Sequence, residues 1–178
     1  MMATVPMSSG EDEQPEHSTP TLHDLYLQHR LALLRLASLL LHDVGDAEEV
    51  VQEAFVGAHL KWGQLRDPER ALPYLRSAVL NGARSRLRHR RVVGRMIPVR
   101  GVDEQPAEVI AVANEERRRM IAALRALPTR QRECLALRFY LDLSEAEIAR
   151  TLGISQGSVK THVHRGLAAL AERLKVAV

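Results

Sequence analysis

Apolar residues recur along this chain at three- and four-residue intervals, the pattern of helices that each bury one stripe. Between positions 21 and 42, Leu22, Leu25, His29, Leu33, Leu36 and Leu40 share a stripe, and Leu27, Leu31, Leu34 and Leu41 widen it. A stripe this wide predicts a helix covered from more than one side. Asp43-Val44-Gly45 stops that helix. Asp46 is predicted to cap the next one, with Glu49 at the capping-box position. In it Val50, Val51, Ala54, Phe55 and Ala58 point inward, while Glu48, Glu49, Gln52, Glu53 and His59 point out. That acidic face fits either plain solvated surface or a dock for a basic partner.

Lys61 to Pro68 reads as a loop, punctuated by Gly63 and Pro68. Trp62, the only Trp, is either a core plug or a partly exposed stacking surface. A third helix runs from about Glu69 to Arg91, with Leu72, Leu75, Val79, Ala83 and Leu87 buried. Arg76, Asn81, Arg84, Arg88 and Arg91 occupy its other faces. Val92 to Ala113 has no sustained period and contains Gly94, Pro98, Gly101 and Pro106. It is expected to be a linker that lets two halves sit far apart.

After the linker, Met120, Ile121, Leu124 and Leu127 mark a helix ended by Pro128, and Thr129 is placed to cap the next, TRQRECLALRFYLDL. The clearest local signal comes last, between Leu143 and Leu174. Ser144 and Glu147 form a capping box before a short helix whose apolar face is Ile148, Ala149 and Leu152. Gly153 supplies a residue able to take φ > 0, and Ser155 caps a second helix. Val159, Val163, Leu167, Leu170 and Leu174 form the inward stripe of that helix. Gln156, Lys160, Thr161, His164 and Arg165 face mostly outward, where they can reach phosphates and base edges in a major groove. The small Ala149, the turn glycine and the buried Val159 match helix-turn-helix spacing. A helical hairpin with a merely solvated charged face is the bland alternative.

Composition agrees with an all-α reading: aromatics are only 3% of the 178 residues, while Leu, Ala and Val abound. The expected architecture is two small helical bundles joined by a flexible linker, the C-terminal one containing the helix-turn-helix. Bundles this small are only modestly stable alone. The single Cys excludes an internal disulfide framework, and Cys134, beside Leu135 and Leu137, reads as packing. No signal peptide is visible, and the apolar run 31–41 is too short to cross a bilayer and contains Arg35, so a cytoplasmic protein without membrane insertion is expected.

The net charge of +3 conceals segregation. Between Gln64 and Arg95 there are nine Arg, no Lys and two acids, a surplus of seven positive charges. Such a cluster favours a polyanionic partner over a merely solvated helix. The first 20 residues are acidic and rich in Ser and Pro, and are expected to be disordered. Catalysis needs convergent groups, and none is legible. His162 and His164, two apart on a helix, point to different faces, which suits a metal poorly. Neither an enzyme nor a cofactor is expected.

The segment DAEEVVQEAF (46–55), the Arg-rich helix with Leu80-Asn81, LPTRQRE (127–133) and the run LSEAEIA…GIS…GSVKTHVHR together resemble the sigma factors of bacterial RNA polymerase. The short two-part form is that of the extracytoplasmic-function group of the sigma-70 family. The resemblance covers Leu22–Leu174 in order and in spacing. It implies a sigma region two over 21–92, a linker over 93–113 and a sigma region four over 114–178.

In such a protein the second helix, here with Asp46, Glu49, Gln52 and Glu53, docks on the clamp of the polymerase largest subunit. The loop and third helix, here with Trp62, Gln64, Arg76, Asn81, Arg84 and Arg88, engage and open the minus-ten promoter element. The last helix, here with Ser155, Gln156, Ser158, Lys160, Thr161, His164 and Arg165, reads the minus-thirty-five element. Region four also grips the flap of the second-largest subunit. An anti-sigma factor is a further implied partner. Two departures stand out: Ser85 lies where the family often has Asp, and Gly82 sits inside a helix at about 1 kcal/mol relative to Ala. The alternative function is a helix-turn-helix regulator acting without core polymerase, but the N-terminal half lacks the alternating strands and helices of a receiver domain. A helical adaptor that binds no DNA is disfavoured by the Arg-rich helix and the turn.

Overall fold

The computed structural model describes the backbone of residues 20–65, 68–96 and 115–176, and every regular element among them is helical. Helix α1 (Leu22–Leu40) opens on a capping box. Thr21 Oγ1 accepts from the Asp24 amide at 3.2 Å, and the Asp24 carboxylate accepts from the Thr21 amide at 2.8 Å. Helix α2 (Val44–Leu60) starts earlier than expected. Its cap is Asp43, whose Oδ1 accepts from the Asp46 amide at 2.9 Å. Asp46 is therefore a first-turn residue, not the cap, and its carboxylate is available for ion pairing.

The expected loop after α2 contains a single helical turn, α3 (Trp62–Leu65). Helix α4 (Pro68–Met96) begins with proline, which lacks only an amide that the first turn leaves unbonded anyway. It continues past Arg91 into the stretch expected to be linker. The rest of that linker and the acidic tail before Pro20 lie outside the described residues.

The C-terminal half contains α5 (Glu115–Arg125), α6 (Thr129–Leu135), a π-helical turn (Ala136–Tyr140), α7 (Glu145–Leu152) and α8 (Gln156–Val176). Pro128, not Thr129, occupies the cap position of α6, and no side chain caps it. The predicted uniform helix after it instead widens, with the Leu141 amide donating to the Ala136 carbonyl at 3.3 Å. The inserted residue changes the side-chain phase. Cys134, Leu135, Ala136 and Leu137 remain buried, but Phe139 is left 64% exposed.

Two glycines mark close helix approaches. A Cβ on Gly82 of α4 would come within 2.8 Å of Val50 Cγ1 on α2, so its poor helix propensity is the cost of that crossing. A Cβ on Gly166 of α8 would come within 3.0 Å of Leu135 Cδ1 on α6. The α8 backbone itself therefore faces α6, and Leu167, expected inside, is 43% exposed.

The two halves are not apart. One apolar cluster runs from Leu33 and Leu40 of α1 through Val50, Leu75 and Val79 to Leu137, Ile148 and Val159. Helix α1 touches α2 and α4 on one side and α5, α6 and the π-helical turn on the other. That two-sided cover buries Leu25, Leu33, Leu34, Leu36 and Leu40 as the wide stripe predicts, but Leu27 and Leu31 remain exposed. The expectation of separated halves took the length of the connection as a distance. The apolar surface that each small bundle leaves on α1, α5 and α7 is better buried against its neighbour.

Candidate nucleic-acid and docking surfaces

The helix-turn-helix forms as its sequence dictates. Glu147 accepts from both the amide (2.8 Å) and the hydroxyl (2.6 Å) of Ser144, and its own amide donates to Ser144 Oγ at 3.3 Å. These bonds to the ionised form hold the Glu147 carboxyl below its usual range. Helix α7 ends at Gly153, with φ 64° and ψ 41°, and the Ile154 amide closes onto the Ala149 carbonyl at 3.1 Å. Ser155 Oγ then accepts from the Ser158 amide at 3.1 Å, which caps α8, and Val159 is fully buried against the turn.

This frame leaves Gln156, Lys160, Thr161, His164 and Arg165 exposed on α8. Ser155 and Ser158 play a different part: their hydroxyls lie 2.9 Å apart and serve the cap. Thr161 donates to the Gly157 carbonyl at 2.9 Å, so its hydroxyl oxygen faces a ligand mainly as an acceptor. Lys160 Nζ lies 3.6 Å from Glu145, linking the two helices loosely at the surface. Neutral, cationic and amphoteric hydrogen-bonding groups thus share one accessible helix face, which suits both phosphate and base-edge contact.

The six residues expected to meet the minus-ten element are not gathered into one open track. Gln64 is exposed on α3, and Trp62 beside it is half-buried. Arg88 is exposed on α4. Arg76 is half-buried, and desolvation presses its guanidinium below its usual range while the Glu147 carboxylate opposes this. Arg84 makes a bidentate pair with Glu133 of α6, Nε–Oε1 2.6 Å and Nη2–Oε2 2.9 Å. Its Nη1 donates to Asn81 Oδ1 at 2.8 Å. Asn81 itself is exposed on α4.

The acidic face of α2 is spanned by arginines from α4. Arg86 reaches Glu49 (2.5 Å) and Glu53 (2.7 Å) and lies 3.5 Å from Asp46. Arg90 pairs with Asp46 at 2.6 Å and lies 3.5 Å from Asp43. Glu49 and Glu53 remain 60% and 63% exposed, and Gln52 is exposed between them. The face is therefore accessible, with its negative charge partly countered from within.

Sequence reasoning missed Glu133 and Arg132, both buried. Arg130 adds a second cation at 3.2 Å from Glu133, and Arg132 Nη1 donates to the Arg125 carbonyl at 3.1 Å. The available signal was a Glu four residues before Leu137 on an apolar stripe, which demands a cationic partner. Cys134 beside it is fully buried, and burial, then the neighbouring Glu133, push its thiol up to about 11. No group of three or more His, Cys, Asp or Glu among the described residues is placed to hold a metal. No described helix is long and apolar enough to cross a membrane.

Two family models match: sigma-70 region 2 over residues 25–92 and sigma-70 region 4 over residues 117–170. The chain is 32% identical over 143 residues to an RNA polymerase sigma-E factor of Streptomyces coelicolor, an alignment covering 80% of each chain. It is 36% identical over 157 residues to the ECF RNA polymerase sigma factor SigL of Mycobacterium tuberculosis, covering 82% of this chain and 84% of the relative. Among solved structures it resembles the sigma factor RpoE of Bartonella quintana in complex with the anti-sigma factor NepR. That match has a TM-score of 0.69 at 25% identity and covers 86% of this chain and 98% of the other. With both region models in order and these relatives matched over most of their length, the chain belongs to the extracytoplasmic-function group of the sigma-70 family, the factors that give bacterial RNA polymerase its promoter specificity.

Proposed function

We propose that this chain divides promoter recognition between its halves, with α8 reading the minus-thirty-five element and α3 with α4 capturing the unpaired minus-ten strand. The observation that carries the reading is the exposed face of α8. Gln156, Lys160, Thr161, His164 and Arg165 are presented on a helix fixed by the Gly153 turn and the Ser155 cap. In the N-terminal half, Gln64, Asn81 and Arg88 are the accessible members of the strand-holding set, with Arg76 and Arg84 available once the halves separate. Trp62, half-buried, supports α3 from beneath. Holding an extruded base and a separated backbone offsets the few kcal/mol that each unstacked step costs.

Polymerase docking falls to the face of α2 with Asp46, Glu49, Gln52 and Glu53, which fits the basic clamp of the largest subunit. A cavity of about 330 Å³ bounded by Met120, Leu124, Phe139, Leu167 and Leu170, with Leu39 of α1 on its wall, offers an apolar seat for the flap of the second-largest subunit. An anti-sigma factor is a further proposed partner, supported by the resemblance to a sigma factor bound to one. The chain acts as a specificity subunit and leaves chemistry to the polymerase. It is proposed to work in the cytoplasm.

The test is reconstitution with core RNA polymerase, selection of promoters from a random library, and run-off transcription from the selected sequences. Enrichment of two spaced elements, and transcripts only when the chain is present, are expected. Specific duplex binding by the chain alone, with no transcription in the presence of core polymerase, would mark it instead as a regulator independent of polymerase.

A further inference from the structure

A second cavity, of about 260 Å³, lies between α1 and α5. It adjoins the one assigned above to the flap, with Leu39, Met120 and Tyr140 common to both. Leu34 of α1, Val44 at the start of α2 and Ile121 of α5 complete its apolar wall. Ser38 also lines it, but its hydroxyl donates to the Leu34 carbonyl at 2.9 Å and offers the cavity no hydrogen. The other lining residues are Arg35, Arg117 and Arg125, and no Asp or Glu is among the described residues on the wall. Arg125 is half-buried, and its Nη2 donates to the Ser38 carbonyl at 2.7 Å. Arg35 and Arg117 are exposed, and neither makes an ion pair with a described residue.

A space walled by alkyl groups stays dry and takes an apolar guest, and one of about 150 Å³ holds benzene. On that scale this cavity holds roughly ten carbon atoms. A single turn of a helix about 10 Å across fills about 420 Å³, so the space suits an alkyl chain and not an inserted helix. Empty apolar space costs stability, which a guest restores. The two exposed guanidinium groups set positive charge at the solvent end, where a carboxylate matches the planar fork of arginine. We propose that this cavity binds a monomeric medium-chain carboxylate of about eight to ten carbons, its tail between α1 and α5 and its head on Arg35 and Arg117. The chain is then a receptor for a fatty acid as well as a promoter-specificity factor.

The test is isothermal titration calorimetry of the full chain, without polymerase, against hexanoate, octanoate, decanoate and dodecanoate below their micelle concentrations. One equivalent should bind. Each added methylene should tighten binding about fourfold until the cavity is full, and further carbons should add little. Decyltrimethylammonium, with the same tail and the opposite charge, should show no binding. Arg35→Gln with Arg117→Gln changes only exposed side chains and should weaken decanoate about tenfold while leaving decanol unchanged. Ile121→Trp fills the cavity and should abolish decanoate binding, and the arginine variant decides the matter if that chain does not fold.

Affinity that keeps climbing through dodecanoate with several equivalents bound, or that is equal for carboxylate and ammonium heads, would mark adsorption to exposed apolar surface and overturn the site. Decanoate binding unchanged in the arginine variant would do the same. Phosphatidylglycerol vesicles are the last arm. Capture of the chain by vesicles, without binding of monomeric decanoate, would put a membrane surface in place of the fatty acid and overturn the proposal.

Discussion

Gly82 offers a quantitative test of how α2 and α4 are fitted together. Replacing it with Ala should add about 1 kcal/mol of helix propensity. It also drives a methyl group to 2.8 Å from Cγ1 of Val50, a stiff β-branched side chain that is 1% exposed and has no room to turn aside. Overpacking of this kind costs about 1–3 kcal/mol. The net expectation for Gly82→Ala alone is a loss of up to about 2 kcal/mol. Val50→Ala alone removes two buried carbons, about 1.6 kcal/mol of transfer energy, and leaves a cavity besides. In that background the new methyl at position 82 enters the space that Val50 vacated, so Gly82→Ala should now stabilise by about 1 kcal/mol. The expected coupling is about 1–3 kcal/mol, large for a pair of neighbours and far outside additivity. Urea unfolding followed by helical circular dichroism, with m-values compared across the four proteins, measures it. If Gly82→Ala changes stability by the same amount in both backgrounds, within about 0.5 kcal/mol, the helices do not meet at this glycine and the packing argument fails.

The other expectations concern the turn and the two surfaces. Gly153→Ala must hold a Cβ at φ 64°, where nothing crowds it, so the loss should be the backbone strain alone, about 1–2 kcal/mol, read by thermal melting, and Gly153→Asn should lose less. Ser144→Ala should cost about 1 kcal/mol of stability near neutral pH. Because the folded carboxyl of Glu147 lies below its unfolded value, the stability it adds is present above the ordinary Glu range and fades as pH falls through the folded value. The gap between the native chain and Ser144→Ala should therefore shrink in acid, and a gap constant with pH would refute the link. Glu49→Lys with Glu53→Lys should weaken core binding well beyond twofold with helix content intact, since exposed ion pairs such as those to Arg86 contribute at most about 1 kcal/mol to the fold. Lys160→Ala should lower the salt dependence of holoenzyme binding by about one counterion without altering sequence preference.

Local signals in the chain were legible where a single residue type decides the geometry. The Ser144–Glu147 capping box, the left-handed Gly153 and the Ser155 cap are each dictated within four residues, and each formed as read. The exposed face of α8 follows from them by helical phase. The cap of α2 went to Asp43 rather than Asp46 because two acceptors three residues apart are equivalent in sequence, and only the approach of Arg86 and Arg90 from α4 distinguishes them. The π-helical turn was hidden because an apolar run such as CLALRFY satisfies either register. Arg76, Asn81, Arg84 and Arg88 fall on the helix that the sequence predicts, whereas Trp62 and Gln64, expected in a loop, lie in the helical turn α3, and the partner of Arg84 across the halves has no signal in the sequence. Arg84 and Glu133 are 49 residues apart in sequence, and no periodicity connects them. Spacing alone points Leu167 inward, whereas the close backbone contact at Gly166 turns that face outward.

Strand capture by α4 is tested most directly by run-off transcription with Asn81→Ala holoenzyme on two versions of one promoter, fully duplex and mismatched across the minus-ten segment. Asn81 is chosen because it is exposed and does not itself cross between the halves. If α4 holds the opened strand, transcription should fall strongly on the duplex and recover substantially on the mismatched template, where unstacking is already accomplished. An equal defect on both templates would contradict strand capture and assign Asn81 to folding or polymerase docking.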